Sequence, residues 1–247
     1  MKTPHIIDVL AIAAHPDDAE IQSGGTLLKM ASLGYTTGIL DLTRGESSTR
    51  GSADERATEA QEAARVLGLS FRKSLDLGDG RLEDSDPNRH ALVTCLRTLR
   101  PKIVLTHYWE EPHPDHGVAA CLVRAAAYLA GVGGWASGHG GDRHRPHALL
   151  HFGLPRWIPP SFVIDISPWA DQKAQAIRCH KSQVHDSASL EPETRVSDST
   201  FLGHVESRQR SLGALIQTAH AEAFLVKEAL VIDDPVRMFP RPMSLFQ

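Results

Sequence analysis

Ala14-His15-Pro16-Asp17-Asp18-Ala19-Glu20 is the stretch on which the fold turns. An apolar run, Val9-Leu10-Ala11-Ile12-Ala13, leads into it and reads as a strand buried on both faces, with strand one expected over 6–14. Gly24-Gly25-Thr26-Leu27-Leu28-Lys29-Met30 follows and reads as the start of a helix over 24–33, closed by Gly34. An imidazole and several carboxylates therefore stand at the carboxyl end of a strand, where open α/β sheets bind ligands. Left unpaired in a buried site, each would cost on the order of a few kcal/mol. One divalent cation would satisfy them together. Taken alone, the run also fits a helix N-cap with acids near the helix dipole.

Outward from this stretch, strands and helices alternate. Residues 36–43 read as strand two, and a polar loop follows, Arg44-Gly45-Glu46-Ser47-Ser48-Thr49-Arg50-Gly51. Ser52 or Asp54 can cap the next helix, whose apolar stripe is Ala57, Ala60, Ala64 and Leu67. Phe71 to Leu77 is a short strand, Pro87 opens a helix, and 102–108 is the next strand. A helix with Val118, Leu122, Val123, Ala126 and Leu129 inward comes after it. This order predicts an α/β, Rossmann-like, mostly parallel sheet flanked by helices. Beyond it the pattern loosens into smaller C-terminal strand and helix additions: strands at 148–152 and 162–166, a helix opened by Ser167-Pro168, a helix over 204–219, and a closing segment at 224–231. No linker divides the chain, so residues 1–247 read as one domain. The stretch 131–147, rich in Gly and His, reads as an exposed loop or lid whose His139, His144 and His147 could bind metal but read better as solvated.

Composition excludes several classes. Hydrophobic residues are 41% and charged residues 23% of the 247, so a packed core is expected. Net charge is −4, which is not the basic footprint of a nucleic-acid binder. No apolar run reaches membrane-spanning length, and the first residues leave no room for a signal peptide. Cys95, Cys121 and Cys179 are odd in number and far apart, which suggests reduced thiols and a cytoplasmic protein.

A second motif, His113-Pro114-Asp115-His116, also follows a strand and opens a helix. In a parallel sheet both motifs lie on one edge and can meet. A catalytic zinc site takes three protein ligands and keeps an open position. His15, Asp18 and His116 would supply the three. Asp17 would then stand beside the attacking water as general base. His113 would donate to a developing oxyanion or a leaving amine, with Asp115 holding its imidazole. Fe2+ or another divalent ion would suit the same ligands. Glu20 reads either as support for the site or as a first-turn acid, and His107 as a strand-end hydrogen-bonding group. Tyr108 and Trp109 could line a sugar-sized pocket or simply pack. One of Arg44, Arg50 and Arg56, on the same edge, is expected to touch an anionic or polyhydroxyl substrate, with Glu46 beside them in the loop. A nucleotide-binding module is the non-catalytic alternative, but no Gly-x-Gly-x-x-Gly follows strand one. A metal-dependent hydrolase of a phosphate ester, or of another N-acyl sugar or ester, is the catalytic one.

The two motifs resemble the signatures of the LmbE-like (PIG-L-type) zinc-dependent N-deacetylases. The resemblance extends through Gly24-Gly25-Thr26, Asp41-Leu42-Thr43-Arg44-Gly45-Glu46, Asp54-Glu55-Arg56, Ile164-Asp165-Ile166 and Lys181-Ser182-Gln183. Within the family the chain is most similar to the bacillithiol-biosynthesis deacetylases, which remove acetate from N-acetylglucosaminyl malate. The resemblance implies a Zn2+ cofactor on His15, Asp18 and His116, Asp17 as base, and His113 with Asp115 as the charge-stabilising pair. It prefers Arg56 as the substrate contact, with Glu46 and Arg50 as further substrate-side residues. It implies a small-molecule N-acetylglucosamine conjugate as partner and a homo-oligomer, often a hexamer. Relatives can carry an oxyanion-holding tyrosine where the best match here is Phe201, which has no hydroxyl.

Overall fold

The computed structural model describes residues 6–135 and 141–239. Five parallel strands, β1 (Val9–Ala13), β2 (Thr37–Asp41), β3 (Phe71–Ser74), β4 (Ile103–His107) and β5 (Ala148–Phe152), form one sheet in the order β3-β2-β1-β4-β5. Between them run α1 (Asp18–Ser32), α2 (Ala53–Leu67), α3 (Asp86–Leu99) and α4 (Pro114–Ala130). The α/β reading of the sequence holds.

Both faces of β1 are buried, and alternate residues serve different layers. Leu10 and Ile12 join Leu92 and Leu96 of α3 and Leu122 and Val123 of α4. Val9, Ala11 and Ala13 join Leu27 of α1, Leu67 of α2 and Ala176 of α5 (Ala170–Arg178). The strand order reverses between β1 and β4, and the crevice at such a switch point is where doubly wound sheets bind ligands. The two motifs follow those two strands, so the topology brings them together.

The C-terminal part adds β6 (Phe162–Asp165), a 3-10 turn at Ser167–Trp169, α5, α6 (Phe201–Ala214), β7 (Ala221–Phe224) and the four-residue α7 (Pro235–Met238). Strands β6 and β7 pair antiparallel. The last strand thus lies at 221–224, ahead of the closing segment read at 224–231 and sharing only Phe224 with it, and the chain is exposed beyond Lys227.

Two helices depart from the sequence-based bounds. Helix α1 begins at Asp18, not Gly24, because Asp17 at φ 128° turns the chain directly from strand exit into helix. Gly24 and Gly25 therefore lie inside α1. A Cβ on Gly25 would stand 2.7 Å from Ile166 Cδ1, and one on Gly24 3.3 Å from Lys173 Cγ, so the pair lets α1 approach the C-terminal layer. Helix α6 begins at Phe201, not 204, and ends at Ala214, not 219, where the chain folds back and brings Thr218 O to Gly213. Elsewhere local chemistry matches. Ser52 accepts from Glu55 N–H while Glu55 accepts from Ser52 N–H, and Gly68 closes α2 in the left-handed conformation. The three cysteines are free. Among the described residues no helix is long and apolar enough to cross a membrane.

Candidate metal centre and active site

The strand-to-helix turns after β1 and β4 bring His15, Asp17, Asp18, His113, Asp115 and His116 to one crevice. Its hub is a single oxygen, Asp18 Oδ2. It accepts from His15 N–H at 2.9 Å and faces His15 Nδ1 at 3.1 Å and His116 Nε2 at 3.3 Å. The second nitrogen of each ring is engaged behind. His116 Nδ1 meets Glu111 Oε2 at 2.9 Å, and His15 Nε2 meets Asp79 Oδ1 at 3.0 Å and Asp115 Oδ2 at 3.3 Å. A carboxylate behind each imidazole fixes which nitrogen keeps its proton and turns the other, with its lone pair, inward. His15 Nδ1, Asp18 Oδ2 and His116 Nε2 are thus a donor set that could hold a divalent cation.

The electrostatics fit that group. With protons as the only cations, His15 is pushed up to about 12: burial works against this, but bonds to Asp115, Asp18 and Asp79 outweigh it. His116 is pushed up to about 10 against its burial, chiefly by the Asp18 charge. Such a demand for positive charge suits a dication, which would displace those protons.

His107 does not join the donor set. Ala14 N–H donates to its Nε2 at 3.0 Å, so its proton sits on Nδ1 and goes to Glu111 Oε2 at 3.0 Å. Glu111 therefore anchors both His107 and His116. Neither Glu111 nor Asp79 belongs to the residues singled out in the sequence. Glu111 sits two residues before the second motif, and Asp79 sits between Gly78 and Gly80, both at positive φ, past the end of β3 on the same sheet edge. Glu111→Gln and Asp79→Asn are each expected to weaken metal retention by about 10–100-fold. Competition for zinc against a chromophoric chelator measures this, and unchanged affinity in both variants would remove the anchoring role.

Asp17 lies next to the hub with its carboxylate buried. Arg56 Nη2 reaches Asp17 Oδ1 at 3.4 Å. Burial pushes the Asp17 carboxyl up to about 6, with the Arg56 charge opposing and Asp18 adding to the rise. That range suits a general base. His113 stands at the mouth, its Nδ1 accepting from Asp115 N–H at 3.2 Å. In its neutral form its proton is therefore on Nε2. The structure departs from the expected pairing here. The Asp115 carboxylate accepts from Gly80 N–H at 2.7 Å and faces His15, so the backbone of Asp115, not its side chain, orients His113.

The substrate-side expectations change most. Arg56 is only 4% exposed and donates to Pro16 O at 2.7 Å and Gly45 O at 3.3 Å. It braces the first motif. Arg50 is buried as well, donating to Ser182 O and Ser189 Oγ. Glu46 accepts from Asp79 N–H at 2.7 Å and so fixes the turn that presents Asp79. All three have protein partners, because the loop after β2 folds inward and satisfies itself. Arg44 pairs with Asp54. Tyr108 is buried and Trp109 packs under Lys227 and against His151, so both are packing residues. Of the loop histidines, His144 meets Pro101 O at 2.7 Å instead of standing in solvent, His147 is exposed, and His139 lies outside the described residues. Glu20 belongs to a buried cluster with Arg72 and His180 behind α1.

A cavity of roughly 870 Å³ adjoins the centre. Ile21, Gln22, Glu111 and Pro112 form its inner wall, and Phe201 lines it at the start of α6.

The family model of GlcNAc-PI de-N-acetylase, PIG-L, matches residues 10–127, which include both motifs. The diacetylchitobiose deacetylase of Thermococcus kodakarensis is 34% identical over 185 residues, covering 71% of this chain and 69% of the relative. A 1D-myo-inositol 2-acetamido-2-deoxy-alpha-D-glucopyranoside deacetylase of Rhodococcus opacus is 31% identical over 162 residues, and the chain spans about half of its length (54%). Among solved structures, a conserved protein of Thermus thermophilus is 34% identical with a TM-score of 0.83, over 92% of this chain and 97% of that one. With both signature motifs inside the matched region and two thirds of a deacetylase covered at this identity, the chain belongs to the PIG-L family, that of GlcNAc-PI de-N-acetylase.

Proposed function

We propose that this protein is a metal-dependent N-deacetylase that hydrolyses the acetamide of an N-acetylglucosamine conjugate, with zinc as the native ion. The observation that carries the reading is the buried Asp17 carboxylate beside the His15, Asp18 and His116 donor set, with the His113 Nε2–H at the mouth. A cation held by those three residues would supply Lewis acidity to the acetyl carbonyl and to the attacking water. Asp17 takes a proton from that water as its oxygen bonds to the carbonyl carbon. His113 Nε2–H donates to the developing oxyanion, which is charge-directed stabilisation in a partly desolvated site. The C–N bond then breaks, acetate departs, and the proton held by Asp17 passes to the amine nitrogen. Glu111, Asp79 and Asp115 keep the imidazoles in register throughout, and Arg56 holds the Asp17 turn.

Relatives named for diacetylchitobiose and for a myo-inositol glucosaminide support an N-acetylglucosamine conjugate as substrate. Resemblance to the bacillithiol deacetylases supports N-acetylglucosaminyl malate among such conjugates. The absence of a linker supports a single domain and the three unpaired cysteines a cytoplasmic protein, while the family resemblance supports a homo-oligomer, a hexamer, which sedimentation would test. The deciding experiment is acetate release by zinc-loaded and iron(II)-loaded protein from the malate conjugate, diacetylchitobiose, the inositol glucosaminide and free N-acetylglucosamine. Release from any of them supports the deacetylase. A metal-loaded protein that releases acetate from none, or that frees phosphate from phosphate esters, overturns it.

A further inference from the structure

The outer wall of the cavity is one face of α6, on which Phe201, His204, Arg208 and Leu212 recur at helical spacing. Arg208 is half-buried there. One amino group of its guanidinium donates to Leu154 O, and among the described residues it makes no ion pair. Arg156 lines the same cavity and is likewise without an ion pair among the described residues. Burial first, and then the Arg156 charge, push Arg208 below its usual range, against the pull of Glu111.

The carboxylates that line the cavity are mostly committed elsewhere. Glu111 is taken by His107 and His116. Glu222 is taken by Lys173 Nζ at 2.6 Å and by the Gly25 and Thr26 amides. Asp198 accepts from Thr200, and Glu110 from the Tyr108 hydroxyl. Glu193 is exposed. Three arginines, Arg156, Arg195 and Arg208, therefore line a space that adjoins the candidate metal centre at Glu111 and Pro112, and of its carboxylates only the exposed Glu193 is left without a protein partner among the described residues. A guanidinium presents a planar fork of donors suited to carboxylate or phosphate.

We propose that Arg208, together with Arg156, reads an anionic group on the aglycone of the substrate, a carboxylate or a phosphate, and so makes the enzyme select charged N-acetylglucosamine conjugates over neutral ones. The proposal rests on the deacetylase reading above. An acetamide at the Asp17 side directs the rest of the conjugate past Pro112 into the cavity, and roughly 870 Å³ leaves room for an aglycone. Arg208 and Arg156 are then specificity residues, acting on substrate binding and not on the bond that breaks.

The test compares kcat/KM for N-acetylglucosaminyl malate, N-acetylglucosamine 1-phosphate and neutral diacetylchitobiose in the metal-loaded wild type, Arg208→Ala, Arg208→Glu and Arg156→Ala. In the wild type the better charged substrate is expected to exceed the neutral one by about 10–100-fold. Each alanine variant should cut that ratio by about tenfold, mainly through KM, and Arg208→Glu should invert it. Which charged substrate leads tells carboxylate from phosphate. Arg156 is exposed, so its variant keeps the test decisive if Arg208 variants fail to fold. A wild type that takes diacetylchitobiose as well as either charged substrate overturns the subsite and leaves the deacetylase standing, and so does a ratio unchanged in the alanine variants. If no substrate releases acetate, the deacetylase reading falls, and thermal shifts decide the subsite. Greater stabilisation by N-acetylglucosamine 1-phosphate than by N-acetylglucosamine, lost in Arg156→Ala, supports it, and equal shifts overturn it.

Discussion

Asp17→Asn is expected to lower kcat by about 10²–10⁴-fold, the usual contribution of a positioned general base, while metal content stays at the wild-type level. Asp17 occupies the turn between β1 and α1 but is not in the donor set around Asp18 Oδ2, so its loss spares that set. Burial pushes its carboxyl up to about 6 against the opposing Arg56 charge, which places it near the pH at which a base both exists and accepts protons. Asparagine keeps the shape and the contact with Arg56 but accepts no proton. His116→Ala, by contrast, removes one of the three donors and is expected to lose metal and turnover together. Atomic absorption alongside acetate release separates the two. Near-wild-type turnover in Asp17→Asn would end the general-base assignment, and metal loss in that variant would move Asp17 into the ligand set. The backbone supplies an independent arm. At φ 128° and ψ −31° a Cβ is strained and glycine is not. Asp17→Gly is therefore expected to be more stable than Asp17→Ala by about 1–2 kcal/mol, the reverse of the usual order of these residues. Both should be inactive. A strained residue bearing a buried carboxylate at the crevice is what function, not packing, would retain.

The sequence made the sheet legible because its signals are local. Val9–Ala13 is apolar without a break, Ser52 and Glu55 spell a capping box, and the two His-Pro-Asp motifs each follow such a strand. Strand alternation then brings both motifs to one edge by topology alone. The departures are of a different kind. Glu111 and Asp79 become partners of His116 and His15 only after the loops after β4 and β3 fold over the crevice, and no spacing rule connects residue 79 with residue 15. Arg50 and Arg56 look like free cations in sequence. They are consumed by carbonyls of residues 182, 16 and 45, because a buried loop must satisfy its backbone acceptors. The charged groups left for a ligand come instead from the region where periodicity is weakest, in α6 and the segment before β6. The Gly-Gly pair, read as a helix start, lies inside α1 because Asp17 starts the helix earlier, and its glycines answer to Ile166, far away in sequence, which needs the space.

The largest stability effect is expected at Glu20, which is 0% exposed and joins Arg72 and His180 directly behind the turn that carries Asp17 and Asp18. Burial alone would raise its carboxyl, but the Arg72 charge, then His180, overcome this and hold it at about 2, below its ordinary 4.5. A carboxyl depressed in the folded state gives stability that is complete above its unfolded pKa and is lost as pH falls through the folded one. The window here runs from about 4.5 down to about 2, and the contribution at neutral pH is about 3 kcal/mol. Glu20→Gln is therefore expected to cost about that much at pH 7, since Arg72 keeps only Asp41, at 3.0 and 3.2 Å, as its carboxylate partner. About half of the gap between wild type and variant should be gone by pH 3, where the wild-type carboxylate begins to protonate. Urea unfolding at both pH values, with chelator present so that metal release contributes to neither, reads the difference. Equal stability at pH 7, or a gap as wide at pH 3, would show that the cluster is held by packing and not by charge. A gap that narrows as expected ties the acid limit of the fold to the helix that carries Asp17 and Asp18. The site would then lose its scaffold only well below the pH, near 6, at which Asp17 itself takes up a proton.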